Sequence, residues 1–332
     1  MQHYPARRRV LTAAAAIATT ALAPWPARAA TAPSPALPNK TLRLIVPFAP
    51  GGPVDSLGRL LGKIMSPMLK QPVVVDNRPG GGGVVALNAV SSAPADGSTM
   101  VLSSITLVTT PAMMPVAYNA EKDFEPITVA AFIPHILVVR ADSPARTLAD
   151  LVTAAKARPD SMSYGSSGNG TSAHLAGALF ADRAGLQVTH VPYRGAAPAL
   201  TDLLAGRLQF MFLDTPTLLP YLRAGKLRAL AAAPAAGAKA LPDVPTIAAS
   251  GYPGFDIHAW YGALVKAGTP EPTRQALYDA VRDALGSDEA RQYLASVGID
   301  PGGMPPGQFA SLIHDDLAQW KDTIGRLHIS IG

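Results

Sequence analysis

Apolar residues run along this chain in two alternating rhythms. Unbroken short runs, Leu42 to Phe48, Val73 to Asp76, Met100 to Ser103, Ile136 to Val139, Met162 to Tyr164, Thr189 to Val191, Phe210 to Leu213 and Leu227 to Ala231, have the length and composition of buried strands. Between them apolar positions recur three and four apart, which predicts amphipathic helices over 55–70, 84–92, 148–157, 172–184, 197–205 and 218–224. Strand and helix in alternation predict a mostly parallel α/β sheet covered on both faces. The rhythm divides into two units, 41–133 and 134–242, the second ending at the Pro-rich Leu241-Pro-Asp-Val-Pro-Thr246. Residues 243–328 hold one strand-like run near Asp256 to Val265 and three helical stretches. That is too little sheet for a domain, so this segment is expected to rejoin the first unit. Two lobes with a cleft between them follow, strand ends facing the cleft.

The turns after the strands carry the candidate chemistry. Leu42 to Phe48 breaks into Ala49-Pro-Gly-Gly-Pro-Val-Asp55 and restarts as a helix, so Gly51 and Gly52 bring backbone amides to a helix N-terminus, where an anion docks without a lysine. Asp55 falls in the first turn of that helix, where complementing the dipole and contacting a ligand are both open readings. Ser103, Ser104 and Thr106 stand at a strand end, as cleft hydroxyls or as caps. Tyr164-Gly-Ser-Ser-Gly-Asn-Gly-Thr-Ser172 packs hydroxyls and glycines between strand and helix and is read as a ligand loop. Tyr193 follows a strand and is read as a residue lining the cleft. Asp214 closes one with no evident cap to make, which assigns it to the cleft as an acceptor from an amine, hydroxyl or water. Gly81-x-Gly83-x-x-Ala86 imitates a dinucleotide fingerprint, but it occupies the second strand-helix turn and Ser103-Ser104 stands where a ribose-binding acid belongs. A tight turn is expected instead.

Composition changes the picture at the N-terminus. Arg7-Arg8-Arg9, an Ala-rich apolar run and Ala27-Arg28-Ala29 form an export signal, cleaved after Ala29, with the twin-arginine and Sec routes both open. Its four arginines and no acid take the formal +5 down to about +1, so a nucleic-acid partner is not indicated. The chain has no cysteine, which excludes disulfides and fits the bacterial periplasm. His135, His174, His190 and His258 lack metal-ligand spacing, and Gly165-Ser-Ser-Gly-Asn169 misses the G-x-S-x-G nucleophile pattern by one place. No catalytic residue, metal or cofactor is expected.

In order along the chain, Ile45-Val-Pro-Phe-Ala-Pro-Gly-Gly-Pro-Val-Asp55, Val73-Val-Val-Asp-Asn-Arg-Pro-Gly80, Ala95-Asp-Gly97, Tyr164 to Gly170 with His174, Val191-Pro-Tyr-Arg-Gly195, Leu227-Arg-Ala-Leu-Ala231 and Leu241 to Thr246 resemble the Bug family. Its members are periplasmic substrate-binding receptors of tripartite tricarboxylate transporters. The resemblance implies a two-lobed Venus flytrap of the type II-like class, each lobe a mixed, mostly parallel sheet flanked by helices. It implies a monomer that captures a small carboxylated solute (a di- or tricarboxylate, an acidic amino acid, an aromatic or amide compound) and presents it to membrane transporter subunits. It places Phe48, Ala49, Gly51, Gly52 and Asp55, with Ser103 and Ser104, on the first-lobe side, and Ser167, Gly168, Thr171, Ser172 and Asp214 on the second. The chain departs from the family's usual residues at Gly81, Ser98, Ala249 and Lys266, all outside the anion loop. The other readings are an exported enzyme acting on a carboxylated compound, or a sensor for a signalling partner.

Overall fold

The computed structural model describes residues 37–257 and 259–329; the expected export signal lies outside them. The first lobe opens with β1 (Leu42–Val46), α1 (Pro53–Leu69), β2 (Val73–Asn77), α2 (Val84–Ser91), β3 (Thr99–Ser104), α3 (Thr106–Met113) and β4 (Phe124–Ile133). The second is β5 (His135–Arg140), α4 (Leu148–Ala157), β6 (Ser163–Ser166), α5 (Ser172–Ala184), β7 (Thr189–Pro192), α6 (Ala196–Leu204), β8 (Phe210–Asp214), α7 (Thr215–Arg223) and β9 (Leu227–Ala232). The chain then returns with β10 (Ala259–Lys266), α8 (Glu271–Gly286), α9 (Asp288–Val297), β11 (Asp300–Pro301) and α10 (Pro306–Arg326).

Two sheets result, ordered β11-β4-β10-β3-β1-β2 and β7-β6-β8-β5-β9. β1 runs parallel to β2 and β3, and β6 parallel to β7 and β8. The parallel strands of each sheet therefore deliver their C-terminal loops to one edge, where ligands of open α/β sheets bind. β10 inserts antiparallel between β3 and β4, so the late segment completes the first sheet. The return crossing expected near Pro242 comes later. Leu241 and Val244 pack on the second-lobe core, Thr246 bridges to Ala232, and the chain crosses beside Ile133 at Ile257 and Ala259.

Three elements were not anticipated: the two-residue β11, β4 and α3. β4 carries Glu125-Pro126 near its start, and proline argues against an interior strand. It is tolerated because β11 pairs only with Phe132 and Ala131, leaving that flank of β4 without a strand neighbour at Pro126. α3 holds three threonines and Pro111 in eight residues, a poor helix composition, and is held by burial of Leu107, Val108 and Met113. An apolar cluster continues from Val108 and Met113 through Trp320 and Ile324 of α10 to Leu175, Leu179 and Phe180 of α5, so the lobes share one core.

Candidate ligand cleft

Between β1 and α1 the backbone turns at Gly51, whose φ of 89° disfavours a side chain, and enters the helix at Gly52 with no side-chain cap and Pro53 at the first position. Among the described residues, the amides of Gly52, Val54 and Asp55 have no protein acceptor. Asp55 is 2% exposed and turns back into the loop, accepting from the Gly51 amide, Arg59 Nε and Asn77 Nδ2, each at 2.9 Å. Asn77 Nδ2 also donates to the Phe48 carbonyl at 3.1 Å, tying both ends of the turn to the end of β2. Burial pushes the Asp55 carboxyl up, but the hydrogen bonds from Arg59, Gly51 and Asn77 and the Arg59 charge outweigh it, and the group ionises below the usual carboxylate range. Asp55 thus shapes the anion loop and takes up the Gly51 amide, one of the two the sequence offered to a ligand.

Ser103 and Ser104 do not act side by side. Alternation along β3 sends Val101 to one core and Met100 and Leu102 to the other, so Ser103 and Ser104 take opposite faces. Ser103 is fully buried, whereas Ser104 Oγ lies 3.1 Å from Thr106 Oγ1 and opposite Tyr261 on β10. The glycine run is the tight turn expected. Gly80 to Gly83 all have positive φ, and a Cβ on Gly82 would stand 2.9 Å from Thr110 Oγ1 of α3.

On the second lobe, Thr171 is the N-cap of α5. Its hydroxyl donates to the Gly168 carbonyl at 2.7 Å and accepts from the His174 amide at 3.4 Å, so both its roles are spent on the helix. Gly168, at φ 139°, also sends its amide to Ser166 Oγ. The Ser172 and Ala173 amides have no acceptor among the described residues. Beneath the loop lie two histidines. His174 Nδ1 accepts from the Gly170 amide at 3.1 Å, His190 Nε2 sits 2.7 Å from Ser166 Oγ, and the rings stack at 3.8 Å. Burial lowers His174 to about 4; burial, then His174 itself, lowers His190 to about 3. Ser167 is half-buried and its carbonyl accepts from the Gly195 amide at 3.1 Å.

Ser172 Oγ lies 3.1 Å from Nε2 of the buried His135 at the start of β5, and His135 faces Asp214 across the β5–β8 ladder. Asp214 does have a cap to make. It is the N-cap of α7, accepting from the Thr217 amide at 2.9 Å, which is why that helix starts at Thr215 rather than Leu218. Tyr193 donates its hydroxyl to Asp202 of α6 at 2.6 Å, and that bond holds the phenol above its usual range. The lobes meet where Thr109 Oγ1 of α3 donates to the Gly170 carbonyl at 2.9 Å and Met113 fills the space a Gly170 side chain would need.

Phe48 to Gly52 therefore form one turn with Asp55 behind it, while Ser167 to Ser172 form a second, linked to Asp214 through His135. Sequence reading missed Arg59, Asn77, His135 and Thr109. Only Arg59 left a signal, its i,i+4 spacing from Asp55.

Residues 57–329 match the family model described as tripartite tricarboxylate transporter family receptor. The chain belongs to this family. The receptor is 38% identical over 291 residues to the UPF0065 protein in the tcbD-tcbE intergenic region of Pseudomonas sp. (strain P51), covering 87% of each chain. It is 33% identical over 290 residues to BugT of Bordetella pertussis, covering 86% of this chain and 89% of that one. Among solved structures it resembles R. palustris Rpa4515 with adipate, at TM-score 0.81 and 34% identity over 88% of this chain and 99% of that one. MatC (Rpa3494) from Rhodopseudomonas palustris with bound malate gives TM-score 0.80 and 31% identity over 87% of this chain and 100% of that one. The receptor is thus a two-lobed α/β solute-binding protein of this family, and no helix among its described residues is long and apolar enough to cross a membrane.

Proposed function

We propose that the receptor captures a small carboxylated solute between its lobes in the periplasm and presents it, as a monomer, to membrane subunits of a tripartite tricarboxylate transporter. The observation that carries this reading is the pair of strand-to-helix turns with unspent amides, Gly52, Val54 and Asp55 on α1 and Ser172 and Ala173 on α5. Oriented amides stabilise a carboxylate without a basic side chain. Phe48 and Ala49 wall the first turn, and Ser104, Ser167, Gly168 and the Ser172 hydroxyl line the approach. Adipate and malate in the two neighbouring structures support a carboxylate ligand. The lobes, 41–133 with the returning segment and the stretch between, close about the crossings at Pro134 and at Ile257 and Ala259.

One observation favours an enzyme, the Ser172–His135 contact with Asp214 nearby. The rest of a hydrolase triad is missing. His135 Nδ1 lies 3.3 Å from the Ile133 carbonyl, not on a carboxylate, and Asp214, whose Oδ1 caps α7, makes no hydrogen bond to His135 among the described residues.

The test is a thermal-shift and calorimetric screen of the protein from Ala30 onward against mono-, di- and tricarboxylates, acidic amino acids and aromatic acids. A subset of acids should raise the melting temperature without being consumed, the stabilisation amounting to about 3 kcal/mol at a hundredfold excess over Kd. No shift with any of them, or turnover of one that binds, refutes the reading.

A further inference from the structure

His135 decides which way the Ser172 hydroxyl points its proton. Its Nδ1 faces the Ile133 carbonyl at 3.3 Å, an atom that only accepts, so Nδ1 carries the hydrogen. In the neutral ring Nε2 is then an acceptor, and the contact at 3.1 Å requires Ser172 to donate into it. The ring is 6% exposed and burial favours its neutral form, Asp214 opposing. Ser172 consequently shows lone pairs, not a proton, to the cleft. Beside it, Asp214 uses Oδ1 for the Thr217 amide, while Oδ2 accepts no hydrogen bond among the described residues and the side chain stays partly exposed. From the first lobe comes Tyr261 of β10, 9% exposed and with no hydrogen-bond partner for its hydroxyl among the described residues. Burial, and then the charge of Asp214, raise this phenol well above its ordinary range, so it remains a donor.

This end of the cleft therefore mixes acceptors, Ser172 Oγ and Asp214 Oδ2, with donors, the Ser172 and Ala173 amides and the Tyr261 hydroxyl. We infer that His135 is a positioning residue that makes the second-lobe end of the cleft select a carboxamide, so that the preferred solute carries a carboxylate at one end and an amide at the other. An amide oxygen satisfies the donors and its NH₂ satisfies the acceptors. A second carboxylate would face the Asp214 charge and the Ser172 lone pairs, and would be accommodated by protonating His135, which turns the Ser172 proton outward. The groups facing His135 are Asp214 from β8 and Ser172 from α5; on its other side Ala232, which ends β9, and Ala233, whose amide donates to the His135 carbonyl, do not titrate.

The inference rests on the proposed carboxylate receptor and is tested with matched probes, succinate against succinamate and adipate against adipamate, by calorimetry near pH ~7.5 in buffers of different ionisation heat. The monoamide of one pair should bind about tenfold tighter than its diacid, as expected for one or two hydrogen bonds and a relieved charge contact. The diacid should bind with proton uptake and the monoamide without. His135→Gln, which can offer an N–H at the Nε2 position, should narrow the preference and abolish the uptake. His135→Asn, which reaches Ile133 but not Ser172, serves if the glutamine variant does not fold. Equal or tighter diacid binding without proton uptake in the unaltered protein overturns the inference whatever the variants do. So does an equal loss for both probes on replacing His135, the mark of a merely structural role. Failure of all four probes and of the wider acid panel would instead remove the carboxylate reading beneath it.

Discussion

The receptor holds its two candidate ligand loops by opposite chemistry. The first-lobe turn hangs on an ionised, buried carboxylate, Asp55, braced by Arg59, Asn77 and the Gly51 amide. Its second-lobe counterpart hangs on neutral histidines, the buried His174 under the Gly170 amide and the half-buried His190 against Ser166. Both arrangements solve one problem, fixing a glycine-rich turn so that its amides are already oriented when an anion arrives. They differ in when they fail. Asp55 has its native pKa lowered, so its contribution is complete above the unfolded carboxylate value and is lost only as pH falls through the still lower folded value. The two histidines also have lowered pKa values, but from a reference of 6.5. Their contribution is complete above that value and drains away as pH falls toward about 4 and about 3. Mild acid therefore reaches the second loop first.

The largest effect that would break this contrast is the pH profile itself. Unfolding free energy should fall between roughly pH 6.5 and 4, by about 3 kcal/mol for the buried His174 and by less for the half-buried, solvent-screened His190, and a profile flat to pH 4.5 in urea titrations would remove the contrast. His190→Phe should flatten that slope while keeping the ring stack. Next comes Asp55→Ala, which strips the Gly51 amide and Asn77 of a shared acceptor and should cost about 2–4 kcal/mol by denaturant unfolding, with a matching loss of ligand affinity. An effect below about 0.5 kcal/mol would mean that the turn holds itself. Thr109→Val sharpens the comparison at the point where the lobes touch. Losing its bond to Gly170 should weaken ligand binding by about fivefold and leave unfolding within about 1 kcal/mol, since the bond fixes the loop against α3 rather than either sheet. Tyr193→Phe is the smallest, about 0.5–1 kcal/mol of stability with ligand affinity unchanged, because its hydroxyl serves Asp202.

Legibility in the sequence followed how local each cause is. Strands such as Phe210–Asp214 and helices such as Leu148–Ala157 announced themselves because periodicity is a property of neighbours in the chain. α3 did not, because its threonines and Pro111 are overruled by a core supplied from both lobes. The glycine turn at Gly51 was readable, yet its clamp was not, since Asn77 meets Asp55 only after β2 has paired with β1. The cap that Asp214 makes was missed because the apolar rhythm of α7 becomes visible only at Leu218, after Thr215-Pro216-Thr217. Ser103 and Ser104 read as a pair because adjacency in sequence was taken for adjacency in space, whereas a strand separates its neighbours.

The insertion of β10 between β3 and β4 sets an order of assembly. The second sheet is made from one continuous stretch and is complete when β9 emerges, but the first remains split along its middle until Lys266 has joined it. Until then β3 and β4 expose facing edges able to accept a foreign strand, so a chain interrupted after the second lobe would carry one finished sheet and one sticky, half-built sheet. Completion of the first lobe is thus a checkpoint that only nearly full-length chains pass.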